Sequence, residues 1–328
     1  MKTLPPESPV TRPPGPATGP RTSFLARVRA EWKRMPGAQR TRLTWALAFA
    51  GLLTLVFLKP LVDLMRYSSG TDLHSHILLI PFVSLYLLAL RYRSLPTGYR
   101  TSPGWALVPL AAGLAALAVL WKLIPMAGVL SLNDRLAAYA LAYVALLAAG
   151  GFGFLGRQWM AAAAFPAAFM IFLVPLPDAL VTTLEAASQT ASAEVSAWMF
   201  QLTGLPHLRD GNIFQLPGIT IEVAKECSGI RSSWVLFITS LVAAEMFLKS
   251  PWRRLILVAL IIPLGVLRNG FRILVISWLC VEIGPHMIKS FIHHRGGPIF
   301  FALSLIPLFA ILWFLRRGEI RREQKRAE

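Results

Sequence analysis

The sequence predicts an all-α polytopic membrane protein with about eight transmembrane helices, on three observations. Hydrophobic residues make up 55% of the 328 residues and charged ones only 15%, where a soluble domain carries about 25% charge. The mean hydropathy is +0.57, and the apolar residues gather into runs long enough to cross a ~30 Å hydrocarbon core. The net charge of +17 is concentrated in the two tails and in alternate connections, the pattern that orients a chain in a bilayer. No aromatic-interleaved basic patch accompanies that charge, so membrane lipids and not nucleic acid are the expected partners.

Residues 1–43 are proline-rich and then basic (Arg27, Arg29, Lys33, Arg34, Arg40, Arg42). They read as a disordered cytoplasmic tail that helps set topology. The first apolar run starts near residue 44, too far in for a secretory signal. Spans are predicted at about 44–64, 73–90, 104–121, 136–155, 158–174, 229–248, 255–281 and 298–315. The connections 91–103, 156–158 and 249–254 are basic, and so is the closing tail 316–328. The connections 65–72, 122–135, 175–228 and 282–297 are less so. The positive-inside rule places the basic set, with both termini, in the cytoplasm and the other set outside the inner membrane. The expected organisation is therefore a 44–315 membrane domain between two basic tails.

The longest external segment, 175–228, opens with Pro175-Leu176-Pro177-Asp178. Leu180, Leu184, Ala187, Ala191, Val195, Trp198 and Leu202 follow at helical spacing. They predict an amphipathic helix with a narrow apolar stripe, lying on the membrane or on the other spans. Next, 213–216, Pro217-Gly218 and 219–223 read as a small hairpin, with Ile219, Ile221 and Val223 on one face. The hairpin delivers the chain to Glu226-Cys227-Ser228-Gly229 at the start of the sixth span.

Three polar islands stand at the predicted outer ends of apolar runs: Cys227 with its neighbours, Arg268-Asn269-Gly270-Phe271-Arg272, and His293-His294-Arg295-Gly296-Gly297. Cys227 falls at or beside a helix N-terminus, where unpaired N–H groups and the dipole favour a thiolate. Gly229 permits close backbone approach, so the amides there suit an oxyanion hole. The plainer reading of Cys227 is a small inert residue, which its polar neighbours Glu226, Ser228 and Arg231 argue against. A charge inside a span is a functional hypothesis by default. Arg272 lies about 25 Å above Leu255 at ~1.5 Å per residue, close to the bilayer edge. There it either snorkels or, with Asn269 on the same face, lines a polar pocket. Arg268, a turn deeper, is expected to pair with Glu245 or another buried acid. A base for Cys227 comes from His293 or His294, with His74 and His76 at the outer start of the second span as rivals. Cys280, in an apolar context, reads as packing. A metal site is the other way to read histidines and a cysteine on one face. HExxH, CxxC and carboxylates at ligand spacing are all absent, so neither a metal nor a cofactor is expected.

These residues together resemble the exosortase/archaeosortase group of membrane cysteine transpeptidase-like enzymes. The match is Cys227-Ser228-Gly229, then Asn269 and Arg272 three apart, then His293 and Gly297 four apart with Phe301 four further on. Ser75-His76 with Ile80-Pro81, Val174-Pro175-Leu176-Pro177 and Leu216-Pro217-Gly218 support it, in order over about 65–315. The family commonly has an acidic residue after the histidine, and here it is His294. The resemblance implies a protease or transpeptidase on the periplasmic face of the inner membrane. Its partners are exported proteins with a C-terminal signal: a Pro-Glu-Pro-like motif, a hydrophobic span and a basic tail. It implies Cys227 as nucleophile, Arg272 as stabiliser of thiolate or oxyanion, and His293 as acid/base, with Ser228, Gly229, Asn269, His294, Gly297 and His76 in supporting positions. Two other classes compete: a non-enzymatic component of a polysaccharide export assembly, and a membrane acyl or glycosyl transferase. The first wants polar residues spread through mid-depth, whereas here they cluster on one face.

Overall fold

The computed structural model describes residues 36–71, 73–91, 94–96, 100–123, 130–223, 229–289 and 297–327. Two helices, α1 (Gly37–Val56) and α2 (Leu58–Gly70), come first. A 3₁₀ turn, Ser75–Leu79, leads into α3 (Ile80–Arg91), and α4 (Pro103–Leu123) packs on α5 (Leu132–Gly150). Short helices α6 (Arg157–Ala162) and α7 (Ala164–Phe169) precede the long α8 (Asp178–Thr203). Strands β1 (Leu208–Asp210), β2 (Ile213–Leu216) and β3 (Ile219–Glu222) follow, then α9 (Ile230–Phe247), α10 (Pro251–Glu282) and α11 (Gly297–Ala327).

The protein is mostly helical, and among the described residues five helices are long and apolar enough to cross a membrane, or up to seven if each bent pair is one span. This is fewer than eight continuous crossings, for three local reasons. The predicted first span is bent by 67° where α1 meets α2. The second, Ser75–Arg91, is a shorter apolar helix that begins as a 3₁₀ turn. The fifth breaks at Ala163, and Ala164–Leu173 passes only together with Asp178–Thr203, across a 91° bend. A run of ~17 residues is marginal for a ~30 Å core even when straight. The helices also overrun the predicted tails. Helix α1 starts at Gly37 and α11 continues to Ala327; residues 1–35 lie outside the described residues.

Polar contacts gather at two opposite ends of the α9–α10 hairpin, whose helices run antiparallel through the apolar contact of Leu236, Ala244, Leu257 and Ile261. At one end the basic connections meet. Glu245, its side chain 6% exposed, pairs with both Arg91 and Arg254. Arg91 also donates to the Ala162 carbonyl. Glu319 accepts from the amides of Lys249 and Ser250 at the head of α10, and Lys249 pairs with Glu323. This explains the helical extension of α11: its acidic residues dock on the 249–250 turn. Gly156, at φ +86°, lies so close to Arg100 that a Cβ would be 1.6 Å from that carbonyl oxygen. Four basic connections thus share one end, as their alternation requires. Replacing Glu245 with Ala leaves two arginines facing each other without an anion. Both are about a third exposed, so solvent softens the loss to roughly 2–3 kcal/mol of unfolding free energy, below that of a fully buried pair. Denaturant titration of the purified protein measures it, and an unchanged midpoint would remove Glu245 from the framework.

Helix α8 corrects the expected stripe. Leu180, Leu184, Trp198 and Leu202 are exposed, while Ser192, Ala193, Ser196, Ala197 and Phe200 are buried. The small-residue face is the one that permits close approach to α10: a Cβ on Gly270 would lie 2.6 Å from Val195. Between membrane helices, small residues pack and large apolar ones are left for lipid. The hairpin stands as expected, with Leu216 opposite Ile219 and Ile221 and Val223 buried. A third strand, β1, was not foreseen and pairs antiparallel with β2. Asp210-Gly211 is the turn signal that announces it, and Gly211 sits at φ +57°. The sheet closes a small apolar core with Ala193, Phe200, Phe214 and Ile273. Arg209 donates a 2.8 Å hydrogen bond to Glu194 of α8, which draws that carboxyl below its ordinary range.

Candidate functional site

Helix α9 begins with Gly229 as its N-cap, at φ 73°. Only glycine holds that conformation without strain. Here the space demands it too, because a Cβ on Gly229 would be 2.8 Å from the Asn269 carboxamide. Asn269 cannot retreat freely. It is 2% exposed, and its Nδ2 donates a 2.9 Å hydrogen bond to Ser192 of α8. Gly265 allows the same closeness one turn earlier, where a Cβ would meet Ser233 Oγ at 2.6 Å. The Gly229 turn is thus seated directly on the Asn269 face of α10.

Arg268 does not meet the acid expected of it. Glu245 is held by Arg91 and Arg254 at the far end of α9, about 22 Å away at ~1.5 Å per residue. Arg268 instead donates to the Gly229 carbonyl at 3.1 Å and to Ser233 Oγ at 3.0 Å. On the other side, Gln189 Nε2 donates a 3.1 Å hydrogen bond to the Val223 carbonyl. Chain positions 224–228 therefore begin and end at residues fixed by α8 and α10. Sequence reasoning missed both Gln189 and the role of Arg268, since a backbone acceptor leaves no mark in the letters.

Asn269 and Gly229, two of the predicted supporting residues, are in contact. Arg272 lies one turn beyond Arg268, half-buried. Gly297 heads α11, and Phe300 in the first turn of that helix meets Phe271 ring to ring at 6.3 Å, beside Arg272. The helix that follows His293 and His294 therefore starts at the same end as the Gly229 turn. Cys227, Ser228, His293 and His294 themselves lie outside the described residues.

His76 is 8% exposed, and both its ring nitrogens are engaged. Trp234 Nε1–H donates to Nε2 at 3.3 Å, so Nδ1 carries the proton and donates to the Leu73 carbonyl at 3.1 Å. This tautomer ties the second apolar segment to the first turns of α9, an arrangement suited to support and not to taking a proton. His74 is 4% exposed beside Tyr67, ring centroids 5.7 Å apart. Near it the first turn of α5 locks onto the head of α8: Asn133 donates to Asp178 and to the Leu176 carbonyl, and the Asp178 amide donates to Asp134. Pro175-Leu176-Pro177 is thereby a fixed corner. Cys280 is 1% exposed, a packing residue as expected.

What meets at this end is a left-handed turn on a helix N-terminus, a carboxamide, two guanidinium groups and the head of α11. Such a set suits chemistry that stabilises negative charge at a membrane face. The chain matches the family model for the transmembrane exosortase over residues 68–310. No curated protein and no solved structure matches it. The match takes in the sheet, the Gly229 turn, the Asn269–Arg272 face and the head of α11, and the chain belongs to the transmembrane exosortase family.

Proposed function

We propose that this exosortase-family protein is a cysteine protease or transpeptidase that removes the C-terminal sorting signal of exported proteins. The signal is a Pro-Glu-Pro-like motif followed by a hydrophobic span and a basic tail. The observation that carries the reading is the seating of Gly229 on Asn269, within 2.8 Å of any added Cβ. It supports bringing the Cys227-Ser228-Gly229 motif and the Asn269–Arg272 motif, far apart in sequence, into one site. The Cys227 thiolate attacks the scissile carbonyl carbon, a C–S bond forms, and Arg272 balances the charge of thiolate and oxyanion. The tetrahedral intermediate expels the amine, which takes a proton from His293, and a thioester remains. Water, an amine or a sugar hydroxyl then attacks the thioester, gives its proton to His293 and regenerates the thiolate.

In this reading the basic end of the bundle is cytoplasmic by the positive-inside rule. The chain crosses eight times, with Ser75–Arg91 and the broken helices each counted as a crossing, and the Gly229 end faces the periplasm. A substrate anchored by its own span then presents its motif at the level of the site. The test is an exported reporter ending in that tripartite signal, followed by immunoblot with and without the enzyme. Shortening should require both the enzyme and an intact motif. A reporter that stays full length with the enzyme present, or one cut equally after the motif is scrambled, would overturn the assigned substrate.

A further inference from the structure

Helix α11 continues from Arg316 to Ala327 beyond its apolar run, and its two sides differ. On one side Leu308 and Leu312 are buried against α9 and α10. Glu319 and Glu323 carry that side on to the 249–250 turn. Arg253 Nη1 donates to the Leu315 carbonyl at 2.6 Å, and Gly318 leaves room for its guanidinium, 3.3 Å from where a Cβ would stand. The extension is therefore held in place as a helix. On the other side Phe309, Trp313, Arg317, Arg321 and Lys325 stand four apart, on one ridge. Phe309 is 51% and Trp313 52% exposed, and the three basic residues are exposed as well. Two residues along a helix is a rotation of ~200°. Each base of the ridge stands two places from Glu319 or Glu323, so the ridge points away from the docked acids.

The ridge changes from aromatic to basic in one step, between Trp313 and Arg317. Exposed aromatic residues near the end of a membrane helix mark the boundary between hydrocarbon and headgroups. The Arg317 guanidinium lies over the Trp313 ring, 5.0 Å from its centroid. A guanidinium over a ring face keeps its N–H fork for an anion. The headgroup layer adds about 5–7 Å on each side of the ~30 Å core. At ~1.5 Å per residue, Arg321 is about 6 Å and Lys325 about 12 Å beyond Arg317 along the axis. Arg317 and Arg321 thus stand at the depth of lipid phosphates, and Lys325 lies beyond it.

We propose that the Arg317–Arg321–Lys325 ridge is a binding site for anionic phospholipids, whose phosphates it holds while their acyl chains lie along Trp313 and Phe309. The occupant is a lipid and not a dissolved anion, because the charged ridge directly continues one that faces hydrocarbon. Arginine suits phosphate by its paired donors, and each basic residue near the surface adds to the attraction. The ridge lies at the opposite end of the bundle from Gly229, so the outcome does not depend on the reaction proposed above.

The experiment uses the full-length protein in phosphatidylcholine vesicles, into which phosphatidylglycerol with brominated acyl chains is titrated. Bromine quenches tryptophan on contact. Each protein is measured with and without Trp313→Phe, and the difference isolates Trp313. Phosphatidylglycerol should be preferred at Trp313 over phosphatidylcholine, and high salt should weaken the preference. Arg317→Gln and Arg321→Gln should each lower it by about two- to fivefold, and the double variant should bring it near parity. Lys325→Gln should change it least. Arg317→Lys with Arg321→Lys should keep most of it, since the charge stays. A parent protein without any preference at Trp313 would overturn the proposal, whatever becomes of the variants. So would an equal loss from Lys325→Gln and Arg317→Gln, the mark of a solvated basic tail that attracts lipid only in general. Inorganic phosphate, added on both sides against chloride of equal ionic strength, separates the two sources of the anion. Release of the brominated lipid by phosphate alone would assign the ridge to dissolved anions and overturn the lipid site, and retention would support it.

Discussion

Cells carrying Cys227→Ala should leave a tail-bearing exported protein at full length, with processing reduced by about 10³-fold or more. The size of the effect follows from the covalent catalysis proposed above. Without sulfur there is no thioester, and the remaining amides and guanidinium groups can only polarise a peptide bond that water attacks slowly. Cys227→Ser should be nearly as inactive. A serine hydroxyl ionises far above any pH the cell reaches, and in the proposed mechanism His293 begins as the acid that protonates the leaving amine, so it is not free to take the hydroxyl proton. Immunoblots for enzyme and reporter in the same cells check this, with enzyme abundance matched. Either variant processing at the rate of the parent protein would remove Cys227 from the reaction. Arg272→Lys, which keeps charge but loses the planar fork, should fall between the parent and Arg272→Ala in the same assay.

The parts of this site that were legible in the sequence are those whose cost shows in the letters. Arg268, Asn269 and Arg272 stand out because polar residues in an apolar run are expensive. Gly229 stands out because it follows a cysteine at the edge of such a run. The partners were less legible. Arg268 was matched in expectation to Glu245, the acid available on the same helix pair, but an antiparallel hairpin puts residue 268 beside residue 229 and residue 254 beside residue 245. In that geometry the acceptor is a carbonyl, which every residue carries. The α8 stripe failed for a different reason. In water, large apolar residues mark the packed face. Beside a bilayer they mark the exposed one, and Ser192, Ala193, Ser196 and Ala197 do the packing. The breaks at Phe57 and Ala163 each fall three residues before a proline, Pro60 and Pro166, whose missing N–H and ring leave the carbonyls of Val56 and Ala162 without their helical partner and open the helix there. That signal stands in the letters, but hydropathy summed over a span is blind to it. The sheet was two-thirds readable, since β2 and β3 alternate while Leu208-Arg209-Asp210 is too short to show a period.

Gly229→Ala puts the packing of this turn to the sharpest test. Two penalties act on one methyl group. The φ of 73° costs an alanine about 1 kcal/mol or slightly more. The Cβ also arrives 2.8 Å from Asn269 Cγ and Oδ1, an overlap of the kind that costs about 1–3 kcal/mol in a close-packed interior. Relief by moving Asn269 breaks its bond to Ser192, and relief by moving the turn stretches the bonds from Arg268. The sum is a loss of about 2–4 kcal/mol, read as a lower unfolding midpoint of the purified protein. Processing should fall further than stability explains, since a shift of ~1 Å at a reacting group can cost ~100-fold in rate. A second variant separates the causes. Adding Asn269→Ala makes room for the methyl group and should restore part of the stability lost in Gly229→Ala, while the strain at φ and the lost Ser192 bond remain. Restoration of this kind identifies the clash as real, because independent lesions would add. A Gly229→Ala protein that melts and processes like the parent would mean that the turn does not rest on Asn269, and the convergence of the two motifs would have to be sought in another arrangement of α9 against α10.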